Sequence, residues 1–456
     1  MSKPSIPKGT RDFGPATMVK RNHIFDTIRQ TFQRYGFLPI ETPTMENLSV
    51  LMGKYGEEGD QLLFKILNSG DFAHGLTESD LQSGSKKLTA KISEKGLRYD
   101  LTVPFARYVV MHRNEIAFPF KRYQIQPVWR GDRPARGRYR EFYQCDADVV
   151  GTDSLLCEAE IVLMVHEVLT NLGIGDFTLK VNNRKILTGI TEVIGAEGKE
   201  SELCVAIDKL DKIGREAVIQ ELLERGITDI SIEKLAPVFD MTGQTSKQFS
   251  QLKEWLSTSP IGLKGIAELE AVWQTVRDFG FSDERIELDI TLARGLSYYT
   301  GAIFEVKANR VQMGSISGGG RYDNLTGTFG LKDVSGVGIS FGVDRIFDVM
   351  EELKLFPSAS QTTRVMLTHF DAEAGRYSLP ILKQLRDAGI NAELYPDAGK
   401  LKKQLDYANQ KNIPYVILIG SEEMQTGQLT LKNMQTGEQQ RLTLSELVKE
   451  LKAPKD

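Results

Sequence analysis

The sequence predicts an α+β domain split by a mainly helical insertion and followed by a smaller α/β domain. Three observations carry this. Strand-like segments joined by polar turns fill residues 97–151 and return after residue 284; the stretch between them turns helical; strands and helices alternate beyond a small, polar linker at residues 357–363. A chain of 456 residues also exceeds what one hydrophobic core usually supports. Hydrophobic residues at 41% and charged residues at 26% put it in the globular range and exclude a disordered or fibrous chain.

Ile24, Ile28, Phe32 and Tyr35 recur at helical spacing with Arg21, Asp26, Arg29 and Arg34 between them, which predicts an amphipathic helix over Met18–Tyr35. It ends at Gly36. In the following segment Pro39 and Pro43 exclude a central strand and leave an edge or extended piece. Lys121–Arg130 and Arg140–Val150 read as a long hairpin whose loop holds Gly131, Pro134 and Gly137. From Glu158 to about Phe279 the pattern is read as helical, with Ile266, Leu269, Val272, Trp273 and Val276 on one stripe. Strands are expected at Ile286–Ile290 and Ala302–Lys307, then a glycine turn at Gly318–Gly320 leading into a helical stretch as far as Val337, then a strand at Gly336–Phe341 running into Asp344 and Arg345. Past the linker, strands at Val365–Leu367, Ala392–Leu394 and Tyr415–Ile419 alternate with helices at 377–385 and 401–408, which predicts a mainly parallel sheet.

No apolar run approaches the ~20 residues needed to cross a bilayer, and the start MSKPSIPKGTRDFG lacks the apolar core of a signal peptide. A cytoplasmic protein without membrane contact is expected. Cys145, Cys157 and Cys204 form no CxxC pair, and His23, His74, His112, His166 and His369 show no ligand spacing, so no metal site is expected. A net charge of −4 excludes a protein built mainly as a phosphate-binding surface and confines any nucleic-acid contact to local patches.

The most informative segment is Trp129–Phe142, with five arginines in fourteen residues and an aromatic at each end. Guanidinium groups bind phosphate oxygens bidentately and stay charged, so this hairpin tip suits a nucleotide triphosphate, with Phe142 placed to stack on a base. Taken alone, such a cluster reads more readily as a solvated basic turn.

The segment resembles motif 2 of the class II aminoacyl-tRNA synthetases. The opening helix with its ending Gly36–Pro43 resembles motif 1, and Gly336–Arg345 resembles motif 3, in the right order. Leu97–Pro104 and above all Arg294–Gly301 resemble the histidyl-tRNA synthetase family, as do Pro7–Asp12 and Gly318–Asp323, so the likeness covers essentially the whole chain. It implies a catalytic antiparallel sheet flanked by helices in two parts, residues 1–184 and 284–356, a helical insertion at 185–283, the linker 357–363 and an anticodon-binding domain at 364–456.

The resemblance also implies roles. Arg130 would meet the α-phosphate of ATP, Arg138 the outer phosphates, Arg345 the γ-phosphate, with Asp132 near the adenine and Phe142 stacked on it. Asp100 and Thr102 would bind the α-amino group of L-histidine. Gln144, Asp148, Tyr298 and Tyr299 would line its pocket, Asp148 and a tyrosine facing the imidazole, and Arg294 would sit between carboxylate and α-phosphate. Catalysis would rest on Arg130 and Arg294 with Mg²⁺, because the histidine carboxylate is already an ionised nucleophile and the step needs alignment and charge neutralisation rather than a general base. Taken apart from the family pattern, Asp148 reads as an ordinary acidic strand residue. Lys400, Lys402, Lys403 and Lys411 read as a solvated face, though the family's C-terminal domain touches the anticodon. Ser297 stands where many family members carry an acidic residue. The partners implied are L-histidine, ATP and histidine tRNA, and a homodimer through motif 1. The rival reading is a non-catalytic paralogue that regulates ATP phosphoribosyltransferase; such proteins typically lack the C-terminal domain and lose the arginines, and this chain has both.

Overall fold

A computed structural model describes residues 3–241, 243–282, 284–293, 298–357 and 363–452. The chain forms two compact units, Met1–Phe13 with Arg21–Phe356 and Gly14–Lys20 with Pro357–Asp456.

An eight-stranded sheet organises the first unit, in the order Leu38–Pro39, Phe120–Trp129, Glu141–Val150, Gly336–Gly342, Ser317–Tyr322, Ala302–Ala308, Phe177–Asn183 and Ile286–Leu288. The six inner strands run antiparallel, and each outermost strand joins in parallel. Leu38–Pro39 is an edge strand, as its proline requires. The longest ladder is the expected hairpin, with Phe120 opposite Val150 and Trp129 opposite Glu141.

Period-two alternation sorts that hairpin into two chemistries. Cys145, Ala147 and Val149 point into the main core, where Ile24, Phe25, Ile28 and Phe32 of helix Pro15–Arg34 pack, Phe32 meeting the rings of Tyr123 and Phe341 at 5.7 and 5.9 Å. Gln144, Asp146 and Asp148 point to the opposite face. Over that face lie a three-stranded sheet of Met45–Asn47, Lys95–Leu97 and Lys65–Ile66, helix Thr102–Met111, and a second core including Tyr55, Tyr99, Val103, Phe105 and Tyr322.

Four expectations change. Residues 102–111 are a helix rather than a strand-like segment: Pro104 sits in the first turn, where its missing N–H costs nothing, and Asp100 Oδ1 accepts from the Val103 N–H at 3.1 Å. Phe177–Asn183 is a strand inside the stretch read as helical, its Phe177, Leu179 and Val181 buried. Gly318–Gly320 lies within a strand rather than a turn, and a short 3₁₀ turn at Thr326–Phe329 stands in place of the helical stretch. Glycine is needed there because a Cβ at Gly319 would lie 2.0 Å from the Gly338 carbonyl oxygen, and one at Gly320 would lie 2.9 Å from the Tyr299 ring. The fourth concerns the second unit. Its sheet runs Ala392–Leu394, Val365–Leu367, Tyr415–Leu418, Leu429–Asn433 and Gln439–Leu442; the first three strands are parallel, and a C-terminal antiparallel hairpin extends them.

Six helices, from Arg184–Ile194 to Pro260–Asp278, occupy the chain between the parallel strands Phe177–Asn183 and Ile286–Leu288. The first and last of them pack backbone to backbone, a Cβ on Gly189 falling 2.6 Å from Gly262 Cα. Among the described residues no helix is long and apolar enough to cross a membrane.

Candidate functional site

The basic hairpin tip closes on one cavity of about 250 Å³. Arg130, Asp132, Arg138, Phe142 and Arg345, the five residues expected to meet ATP, all line it, with Gln144 at its inner end. Each is held for a local reason. The Arg130 guanidinium lies over the Tyr99 ring at 4.2 Å and the Phe142 ring at 5.1 Å, while its Nε donates to the Tyr99 carbonyl at 3.1 Å. Aromatic faces and one carbonyl fix the fork and leave its remaining donors for a ligand. Arg345, in the first turn of helix Val343–Glu352, donates to the carbonyls of Gly137 (2.7 Å) and Ser315 (2.6 Å). Arg138, 59% exposed, meets Asp132 at only 3.7 Å, a loose surface pair that a phosphate can displace.

Behind the tip lies the acidic half. Asp100, buried at the entry to helix Thr102–Met111, accepts from the Tyr55 hydroxyl at 3.0 Å and the Tyr298 hydroxyl at 3.4 Å. Thr102 and Tyr299 each hydrogen-bond to Tyr298, and the Tyr298 and Tyr299 rings meet edge to face with centroids 5.0 Å apart. Asp148 Oδ1 accepts from the Tyr322 hydroxyl at 2.7 Å, and Arg122 Nη2 is 2.8 Å from Oδ2. Arg294 and Ser297 lie outside the described residues. Asp100, Thr102, Tyr298, Tyr299 and Asp148 are thus drawn together, and Gln144, which donates to Ser340 Oγ at 2.9 Å, joins this group to the arginine cavity.

Burial sets the electrostatics. It pushes the Asp100 carboxyl up, against the helix N–H and the Arg130 charge. It also pushes Asp146 up to about 7, with Arg122 pulling down and Asp148 pushing further up, and it raises Asp148 against Arg122 and Tyr322. Tyr55, Tyr298, Tyr299 and Tyr322 are all driven above the ordinary phenol range, chiefly by burial, so they remain O–H donors at any physiological pH.

Sequence reasoning passed over four of these groups. Asp146 was legible, since it shares the parity of Gln144 and Asp148 on one strand. Arg122 pairs across the ladder with Asp148 and was readable once the register was known. Tyr55 and Tyr322 arrive from other segments, and only the fold brings them in. The site also explains Gly338: a Cβ there would fall 2.0 Å from Asp148 Oδ1. Asp344, beside Arg345, gathers Arg11, Arg21 (2.6 Å) and the Tyr143 N–H (3.1 Å), which ties the first helix to the floor of the cavity. One of the histidines and one of the lysines have structural partners. His369 bridges the Asp371 and Tyr395 carbonyls at 3.1 and 2.9 Å, and Lys411 pairs with Glu393 at 2.9 Å. Among the described residues no three His, Cys, Asp or Glu side chains converge as a metal cage.

With this geometry in place, the chain compares as follows. Residues 9–346 match the family model described as histidyl-tRNA synthetase, and residues 363–453 match that of an anticodon binding domain. The histidine–tRNA ligase of Cytophaga hutchinsonii is 64% identical over 99% of this chain and 100% of its own length. The crystal structure of histidyl-tRNA synthetase from a Nostoc species superposes with a TM-score of 0.84 at 32% identity, covering 99% of both chains. An ATP phosphoribosyltransferase regulatory subunit/histidyl-tRNA synthetase from Bacillus halodurans superposes with a TM-score of 0.73 over 91% of this chain and 99% of that one; at 20% identity this likeness speaks for the fold alone.

Proposed function

The chain belongs to the histidyl-tRNA synthetase family, and on that premise we propose how its residues divide the work of a histidine–tRNA ligase. The enzyme activates L-histidine with ATP to histidyl-adenylate and pyrophosphate, then transfers histidine to the terminal adenosine of its tRNA. One observation carries the assignment of residues: the five ATP candidates line a single cavity, and the histidine candidates converge beside it, with Gln144 between.

In this reading the arginine cavity takes the nucleotide. Phe142 stacks on the adenine with Asp132 at its edge, Arg138 and Arg345 hold the outer phosphates, and Arg130 meets the α-phosphate from its aromatic seat. Mg²⁺ enters as part of the substrate, carried by the phosphates. Asp100 and Thr102 receive the α-amino group, and Arg294 completes the charge balance between carboxylate and α-phosphate. No side chain has to remove a proton from the nucleophile. Arg130 and Arg294 lower the barrier by holding two anions in line and neutralising the charge that builds on the α-phosphate.

Specificity rests on Asp148 and Tyr299. A pocket whose buried polar atoms are satisfied only by ring N–H groups leaves them unpaired with any other side chain, and that rejects near-isosteres strongly. The reading extends to the rest of the chain: residues 1–184 and 284–356 as the catalytic domain, 185–283 as an insertion, 357–363 as a linker, and 364–456 as the domain that binds the tRNA anticodon. A cytoplasmic homodimer through the first helix and the edge strand Leu38–Pro39 completes it; Leu38 is 60% exposed on that edge. The regulatory alternative is not favoured, since the anticodon-binding domain is present and Arg130, Arg138 and Arg345 line one cavity.

The test is ATP–pyrophosphate exchange by the purified protein with each of the twenty amino acids in turn. Exchange with histidine alone is expected. A folded protein that exchanges with none of them, or with another amino acid, overturns the assignment. Sedimentation as a monomer at micromolar concentration overturns the dimer.

A further inference from the structure

One buried acid on the polar face of the sheet has no part in the reading above. Asp146 is 2% exposed and lies between Gln144 and Asp148 on strand Glu141–Val150, opposite Gln124 on one neighbouring strand and Ser340 on the other. Its Oδ1 is fully buried with no hydrogen-bond partner among the described residues. The same holds for Oε1 of Gln124 and Oε1 of Gln144. Three orphan acceptors thus cluster on adjacent positions of two paired strands. Arg122 Nε and Nη1, on the neighbouring strand, are buried without a hydrogen-bond partner as well; buried polar atoms are rarely left unpaired in a folded protein, so unpaired atoms of both kinds on one face mark a place for a polar ligand.

Charge sharpens the point. Asp146 feels the charge of Arg122 from the neighbouring strand, Asp148 from its own and Asp100 from the entry to helix Thr102–Met111, Ser340 hydrogen-bonds to its carboxyl, and the same three carboxylates act on the Tyr299 hydroxyl. Arg122, wholly buried and 2.8 Å from Asp148, is one guanidinium for the two acids of the strand. Two carboxylates with one cation would leave one negative charge in the protein interior, where it is costly, and burial raises the Asp146 carboxyl accordingly.

We propose that Asp146 is a specificity-determining residue that binds the histidine ring together with Asp148, so that each ring N–H meets an anionic acceptor and the bound side chain is an imidazolium. The inference rests on the assignment of this face to histidine. Below about pH 7 the proton leaves the Asp146 oxygen, and above it the proton is taken from solvent; in either case it bonds to the bare ring nitrogen and leaves two carboxylates balanced by one guanidinium and one imidazolium. The site then selects histidine by basicity as well as by shape, and it disfavours flat heterocycles of the same size that cannot hold the second proton.

Two measurements test this, both on the full-length protein. In the first, ring-¹⁵N-labelled histidine is bound to the wild-type protein at pH 7.5, where the free side chain, with a pKa of about 6.5, is mostly neutral. Both ring nitrogens should resonate as N–H; one pyridine-like nitrogen in the complex overturns the proposal. In the second, ATP–pyrophosphate exchange is compared for histidine and for the weakly basic isostere 1,2,4-triazolylalanine, in the wild type and in Asp146→Asn. The variant should raise the KM for histidine by about 10- to 100-fold, leave the KM for ATP in place, and narrow the preference for histidine over the triazole. A merely structural role would weaken both substrates alike and leave the preference unchanged, which overturns the proposal. An unchanged histidine KM does the same. Wild-type protein that does not exchange with histidine at all points instead to failure of the functional assignment beneath it.

Discussion

The two halves of the site hold their charges in opposite ways. On the arginine side the groups are accessible and loosely kept: Arg138 is 59% exposed and its pairing with Asp132 stretches to 3.7 Å. On the acidic side Asp100, Asp146, Asp148 and Arg122 are each at most 3% exposed, and several of their polar atoms have no partner among the described residues. The ligands proposed for the two halves account for the difference. A triphosphate brings a large, diffuse charge that is gripped by several guanidiniums at once, so no single contact has to be exact. A neutral or singly charged ring must be told apart from nineteen other side chains, and burial makes each unpaired atom expensive.

That contrast can be broken in several places. The largest effect is expected at the junction: Arg130→Ala removes the guanidinium aimed at the developing charge and should lower kcat for exchange about 10²- to 10³-fold, read by steady-state kinetics. Next comes Asp148→Asn, which leaves Arg122 buried without its carboxylate partner and should raise the KM for histidine by about two orders of magnitude, with the KM for ATP little changed. Arg138→Ala should be milder and of the other kind, raising the KM for ATP by about tenfold. This last effect should shrink as salt is added, because the group is exposed.

The smallest effect concerns stability and has the opposite sign. Asp146 keeps its proton up to about pH 7 in the folded chain, whereas an ordinary carboxyl loses it near 4. The folded state therefore binds more protons than the unfolded state in that window, and this group's contribution to stability falls as pH rises through it. Asp146→Asn, neutral at every pH, should melt a few degrees higher than wild type near pH 8, the gain fading as pH drops toward 4. Thermal unfolding monitored by circular dichroism reads this directly; a lower melting point at pH 8 would mean that Asp146 is already satisfied by its neighbours.

The arginine side was the more legible in the sequence, and the reason is physical. The groups proposed to bind phosphate cluster on one contiguous loop, so Trp129–Phe142 shows them as a run, and the prolines after Gly36 mark the edge strand by the hydrogen bond they cannot make. The acidic side is assembled from six separate segments around Tyr55, Asp100, Arg122, Asp148, Tyr298 and Tyr322, and only strand parity hints at it. Parity alone would have added Asp146 to Gln144 and Asp148, and the sequence reading did not use it. Local signals misled where tertiary contacts override them. The β-branched run Thr102–Val110 folds as a helix because Asp100 satisfies its first turn, and Gly318–Gly320 reads as a turn although the Gly338 backbone demands glycine there in mid-strand. Phe177–Asn183 carried a clean alternation, hidden by the helical sequence on both sides.

The most direct test of the division of labour is a paired measurement of KM for ATP and for histidine in Arg138→Ala and Asp148→Asn, both in ATP–pyrophosphate exchange. The account predicts that Arg138→Ala moves the ATP value alone and Asp148→Asn the histidine value alone. Equal shifts in both constants for either variant would contradict it.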